Sequence, residues 1–242
     1  MSALTTAWTA TTGGFVTSSP AVANGVVYVG SVDGKLYAFD AAGVTGCTEI
    51  PRSCAPLWTA TTGRRIYVSS PAAANGVVYV GSEDDKLCAF DAAGLTGCSG
   101  VPISCGPLWT ATTSSSIYSS PAVANGVVYV GSMDGNLYAY DAAGVNGCNG
   151  APKVCTPLWT APTGRSIGSS PAVANGVVSI GSDDSKVYAF DAAGVTGCSD
   201  VPKSCAPLWT ATTGSGVDSS PAVANGVVYI GSSDGKLYAF TL

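Results

Sequence analysis

Ser18-Ser-Pro-Ala-Val-Ala-Asn-Gly-Val-Val-Tyr-Val-Gly-Ser31 returns with small changes at 69–82, 119–132, 169–182 and 219–232, so the step is 51 residues once and 50 thereafter. Self-similarity at that period belongs to stacked supersecondary units that share one elongated core. Asn24-Gly25 and its four equivalents sit between apolar runs. That dipeptide is the strongest short hairpin signal, because a two-residue type I′ turn needs positive φ twice. The apolar run after it reads as a buried strand. A second turn follows, carrying Asp33-Gly34, Asp84-Asp85, Asp134-Gly135, Asp184-Ser185 or Asp234-Gly235. A third strand spans 35–40, and a fourth, at 57–62, begins Leu-Trp-Thr. Turns arrive too often for any helix.

Chemistry orders these four strands. Pro20 cannot donate to a ladder, so the Ser-Ser-Pro-Ala-Val-Ala strand is an edge, and its side chains are small enough to converge on an axis. The two middle strands are bulky on both faces and must be covered on both. The Trp strand mixes indole with Thr and tolerates a rim. Small inside, bulky in the middle and mixed outside describes a propeller blade. The reading is therefore all-β: one domain over 1–242, a five-bladed β-propeller of four-stranded antiparallel blades. The blades fall at about 18–62, 69–113, 119–163, 169–213 and 219–240, the last completed by 7–12. That completion pairs the N-terminal strand with the C-terminal blade, closes the ring, removes the open edge and leads us to expect a monomer.

Composition narrows function. The 242 residues are 46% hydrophobic and only 10% charged, with net charge −5 and no His. A sparse, mildly acidic surface gives no electrostatic reason to bind nucleic acid, and no apolar run is long enough to span a bilayer. Residues 1–7 lack the features of a signal peptide. Eight of nine cysteines form pairs seven apart: Cys47/Cys54, Cys98/Cys105, Cys148/Cys155 and Cys198/Cys205. The spacing does not suit zinc, and no His supplements it. Local disulfides follow, and with them an oxidising extracellular or periplasmic location. Cys88 replaces the Tyr of the other repeats (Tyr37, Tyr138, Tyr188 and Tyr238) and reads as a buried, inert thiol.

The repeat resembles the pyrroloquinoline-quinone-enzyme (PQQ-like) type of β-propeller repeat. The likeness rests on the quoted stretch, then Asp-Gly-Lys-Leu-Tyr-Ala-Phe-Asp-Ala, a Gly and a Trp. It implies a docking motif in which an indole stacks between neighbouring blades. Ala38, Asp40, Gly43 and Trp58 match it, as do Ala89, Asp91, Gly94 and Trp109. Ala139, Asp141, Gly144 and Trp159 match next, followed by Ala189, Asp191, Gly194 and Trp209. Trp8 is expected to serve the closing blade with Ala239. The cystine loop is inserted between Gly and Trp, where the family has a tight turn. Quinone-dependent members have about eight blades and a pocket of non-repeated polar residues. That pocket has no counterpart here, so neither cofactor nor dehydrogenase activity is carried over. Non-catalytic members, among them a bacterial outer-membrane assembly lipoprotein, are the nearer analogue.

Candidate chemistry is thin. Without His there is no His-based triad or metal site, and we expect no catalytic, cofactor or metal residues. Of thirteen Asp and two Glu, nine occupy repeated turn and strand-end places, where backbone capping explains them. The singletons are Glu49, Glu83, Asp85, Asp183, Asp200 and Asp218. Glu83, Asp183 and Asp218 fall on loops of one end, the arrangement a glycosidase would need. The loops joining the Trp strand to the next repeat vary most. They place Phe15, Arg64, Arg65, Tyr67, Tyr118, Arg165 and Asp218 on one candidate binding face, since aromatics with Arg build interfaces. The leading reading is a non-catalytic scaffold, amplified or engineered, that binds an unidentified protein or small ligand there. A lectin-like module with one shallow site per blade is the alternative, and a five-bladed glycosidase stands behind it.

Overall fold

A computed structural model describes residues 5–48 and 51–241; Glu49 lies outside them. Among the described residues every regular element is a strand. In the first repeat these are β1 (Thr9–Ala10), β2 (Ala21–Ala23), β3 (Val26–Gly30), β4 (Lys35–Asp40), β5 (Ser53–Cys54) and β6 (Trp58–Thr61). The hairpin turns form as expected: Asn24 and its equivalents have φ of 49–51°, and Gly25 has φ of 77°. Asp85 and Ser185, standing where other repeats have Gly, are held at φ of 65° and 69°. That conformation costs a residue with a Cβ more than it costs Gly, and Ser more than Asp.

β2, β3, β4 and β6 make one antiparallel blade, with β2 at its inner edge, directly after Pro20. The outer strand, however, is not an exposed rim. The cystine hairpin of the next repeat, Cys98–Ser99 with Ser104–Cys105, adds to it, the latter strand running parallel to β6. The sheet therefore has six strands, as do the next two. Each cystine loop is thus a clasp reaching back onto the preceding blade. Its bridges join Cys47–Cys54, Cys98–Cys105, Cys148–Cys155 and Cys198–Cys205.

The core lies between blades. Between the first and second, Tyr28, Leu36, Trp58, Ile66, Val78 and Phe90 are all at most 2% exposed, and the next two junctions repeat the set. Gly30 and its equivalents admit an Ile or Val from the following loop: a Cβ there would overlap Ile66, Ile117, Ile167 or Val217.

The expected ring closure does not occur. β1 pairs in parallel with β5, not with the last blade. The final sheet, Ala222–Ala224, Val227–Gly231 and Leu237–Thr241, keeps three strands. Along the axis, Ser19, Ser70, Ser120 and Ser170 each donate a backbone N–H to the next repeat's serine Oγ at 2.8–3.0 Å. No such bond returns from Ser220 to Ser19 among the described residues. Trp8 occupies the same place against β5 and Gly43 that Trp58 occupies against the second cystine hairpin and Gly94. Trp58 also pairs with β4, so that place does not compete with closure; the N-terminal strand holds the first blade's clasp without pairing with the last blade, and the chain forms an open arc.

Candidate functional site

The Trp docking sites come first because they fix every other position. Cβ atoms on Gly43, Gly94, Gly144 and Gly194 would overlap the indoles of Trp8, Trp58, Trp109 and Trp159. These glycines also have φ of 64–69°, so both space and backbone demand Gly. Each Trp thus docks on the Gly of the following repeat. Trp8 serves the first blade, which corrects its expected pairing with the closing blade and Ala239. Trp209 meets no such Gly among the described residues and is only half-buried. Tyr28, Tyr79 and Tyr129 pack on Trp58, Trp109 and Trp159 with ring centroids 5.9 Å apart.

Two repeated carboxylates carry the polar framework. Asp40, Asp91, Asp141 and Asp191 each accept from the backbone N–H of the residues two, four and five positions on. Those bonds hold all four well below the usual carboxylate range; for Asp91 and Asp141 they outweigh a burial effect of opposite sign. The turn aspartates are tied differently. Asp33, Asp134, Asp184 and Asp234 accept from Tyr37, Tyr138, Tyr188 and Tyr238 four residues on. They also accept a backbone N–H from the loop that crosses them. That Asp–Tyr pairing is visible in the sequence as a fixed spacing of four, and the sequence reading missed it. Asp84 lacks it because residue 88 is Cys; a separate difference is that its Oδ1, whose counterparts accept the backbone N–H two residues on, is buried without a partner among the described residues.

The variable loops border an axial cavity of about 480 Å³, lined by Ser19, Ser70, Ser120, Ser170 and Ser220 with Val68, Tyr118, Gly168 and Asp218. Tyr67 and Tyr118 meet edge-on at 5.9 Å, and Thr17 donates its hydroxyl to the Tyr67 carbonyl. Phe15, Arg64, Arg65, Tyr67 and Arg165 are exposed, and Tyr118 is half-buried. Phe15 also borders a second, surface cavity of about 520 Å³ with Val32 and Asp33.

Of the three glycosidase candidates, Asp183 and Asp218 lie together and Glu83 does not join them. Burial and the neighbouring Asp218 carboxyl raise the pKa of Asp183, against the pull of Arg165. Glu83 instead accepts from Tyr118 at 3.5 Å. Asp200 sits exposed on a cystine hairpin beside Ser199, and Asp85 is a turn residue. Burial pushes the Cys88 thiol up to about 12, which makes it unreactive at neutral pH. No group of metal ligands occurs among the described residues. At the opposite end, crevices recur between blades. One of about 250 Å³ is lined by Asn24, Tyr28, Gly76 and Asp91, and one of about 190 Å³ by Asn125, Tyr129, Gly176 and Asp191.

A family model described as outer membrane protein assembly factor BamB matches residues 50–146 and 155–242. No curated protein sequence matches the chain. Among solved structures, BamB from Moraxella catarrhalis superposes with a TM-score of 0.67 at 18% identity, over 94% of this chain and 59% of that one. The computationally designed Ika8 protein gives 0.67 at 14% identity, over 92% and 57%. The designed Ika4 protein gives 0.56 at 15%, over 77% of this chain and 97% of its own. The chain thus spans just under three fifths of the BamB and Ika8 chains. These identities speak for fold alone, and the fold is the PQQ-like β-propeller. The four bridges point to an oxidising location outside the cytoplasm.

Proposed function

Because the chain belongs to the family of the outer membrane protein assembly factor BamB, we propose that it works as a non-catalytic scaffold of PQQ-like repeats, in the periplasm or outside the cell. It would hold an extended polypeptide across the loops at the mouth of the axial cavity. One observation carries this reading. The repeated carboxylates are consumed in backbone and Tyr hydrogen bonds, while the unlike side chains Phe15, Arg64, Arg65, Tyr67, Tyr118 and Arg165 belong to the loops bordering that mouth. Arg and aromatic side chains in partly desolvated positions are what interfaces use as anchors. A polypeptide with carboxylates and apolar residues would complement them.

Phage-displayed peptides panned on the wild type test the proposal. Enrichment that disappears on the Phe15→Ser/Arg65→Ser/Tyr67→Ser/Tyr118→Ser protein, and survives Asn75→Asp on the opposite end, is expected. No enrichment on the wild type, or enrichment indifferent to the four substitutions, would sink it. The lectin-like alternative draws on the recurring Asn/Tyr/Asp crevices between blades. A glycan array that stays blank at high protein concentration rejects that reading.

A further inference from the structure

We propose that this chain assembles head to tail with a second copy of itself, the β1 strand of one completing the last blade of the other. Each side of that junction is unfilled in one chain, at opposite ends of the arc. β4 and its equivalents in the next three repeats have an outer strand along their second edge, in the register Leu36↔Ala60 and Ala38↔Trp58. Among the described residues the Leu237–Thr241 strand pairs only with Val227–Gly231. β1 is the reciprocal case. Among the described residues it has its parallel cystine partner and no antiparallel one, and the stretch that holds it, Trp8-Thr-Ala-Thr-Thr12, is the same as Trp58-Thr-Ala-Thr-Thr62.

Side chains split the same way. Leu237 is 75% exposed and Tyr229 39%, where Leu36 and Tyr28 are 0% and 1%. Among the described residues no Ile or Val approaches Gly231, although one fills this place at Gly30, Gly81, Gly131 and Gly181. The loop residue that would fill it, Val16, is 49% exposed. Tyr28, Tyr79 and Tyr129 donate to a backbone carbonyl of the following blade; Tyr229 has no such bond among the described residues, and the carbonyl in the equivalent place is that of Ala41.

A junction built in trans would set Leu237 opposite Ala10 and Ala239 opposite Trp8, Val16 on Gly231, and Tyr229 against Ala41. Trp8 would stay where it is, since Trp58 docks on Gly94 and pairs with β4 at once. No refolding is needed, and the new contact continues the interior junction of the chain. An exposed strand edge beside apolar surface is a template for another chain. A heterologous contact of this kind yields rings or open filaments. Within one chain β1 and Leu237–Thr241 are not paired among the described residues, and β1 carries the sequence that fills this register in the first blade, so the occupant is the β1 of a second molecule.

Mass and cross-linking on the full chain test the inference. The wild type should show a mass at least twice its 23.9 kDa in light scattering at high concentration. Leu237→Asp, at an exposed position, should return it to one chain without loss of the β-sheet circular-dichroism signal. Mixed Ala10→Cys and Leu237→Cys proteins, mildly oxidised, should give a covalent dimer whose cross-linked peptide joins residues 10 and 237. A wild type of single-chain mass at every concentration, with no cross-link, overturns the inference. So does a bridge formed within one chain by the Ala10→Cys/Leu237→Cys double variant, or a dimer linked only through like positions.

Discussion

Replacing Cys88 with Tyr should stabilise the protein, and the structure says by how much. In four repeats a Tyr donates to the turn Asp: Tyr37 to Asp33 at 2.5 Å, Tyr138 to Asp134 at 2.8 Å, Tyr238 to Asp234 at 2.6 Å, and Tyr188 to Asp184. Each of these rings also lies parallel to the aromatic two residues on, with centroids 5.8–6.0 Å apart. In the second repeat Cys88 is buried beside Phe90, and Asp84 Oδ2, the counterpart of the oxygen that takes the phenol elsewhere, accepts the Gly63 N–H and no phenol. The neighbours that would receive the introduced phenol ring are Tyr28, Leu36, Trp58, Ala60 and Ile66, the counterparts of those around Tyr138 and Tyr188. The surrounding side chains are therefore of the kind that accommodates a Tyr in the other repeats. A hydrogen bond to a charged acceptor contributes about 1.5–3 kcal/mol, and an aromatic pair about 0.5–1.5 kcal/mol beyond burial. Denaturant unfolding should show a gain on the order of 2–4 kcal/mol for Cys88→Tyr. Cys88→Phe should recover only the stacking share, and Asp84→Asn should shrink the difference between the two. A Cys88→Tyr protein no more stable than the wild type, or equal to Cys88→Phe, would refute the reasoning.

Trp109→Ala should cost about 3–5 kcal/mol, because the indole is 1% exposed and seated on Gly144. Trp209→Ala, half-buried and without such a seat, should cost clearly less; equal losses in urea titrations would contradict the docking assignment. The pH dependence follows from the lowered pKa values of Asp40, Asp91, Asp141 and Asp191. Their folded values lie below the unfolded one, so their stabilisation is complete above the usual carboxylate pKa of about 4 and is lost as pH falls through the lowered values. Thermal melts should decline only below that point, and a plateau continuing far into acid would count against it. Asp183 has the opposite sign, being raised by burial and by Asp218. Asp183→Asn should therefore raise the melting temperature at neutral pH, with the gain vanishing in acid.

Much of this molecule is written in local chemistry. The 50-residue step, the Asn24-Gly25 turns, the inner edge set by Pro20 and the cystine pairs seven apart each depend on a few adjacent residues. All are present as the residues require. The Asp33–Tyr37 bond was equally open to inspection, since a spacing of four brings a turn residue over the strand that follows. Across blades the residues themselves are ambiguous. Trp8 carries the sequence of an outer strand and suits two places equally well: the outer edge of the last blade, or the clasp and Gly43 of the first. Only the accumulated angle between stacked sheets decides whether both can be filled within one chain. That angle comes from side chains such as Ile66 against Gly30 and Trp58 against Gly94, packed across every junction. Periodicity counts the blades but does not measure the turn between them. The open arc, the free edge of Leu237–Thr241 and the cystine hairpins clasping the preceding blade were therefore decided by tertiary packing alone.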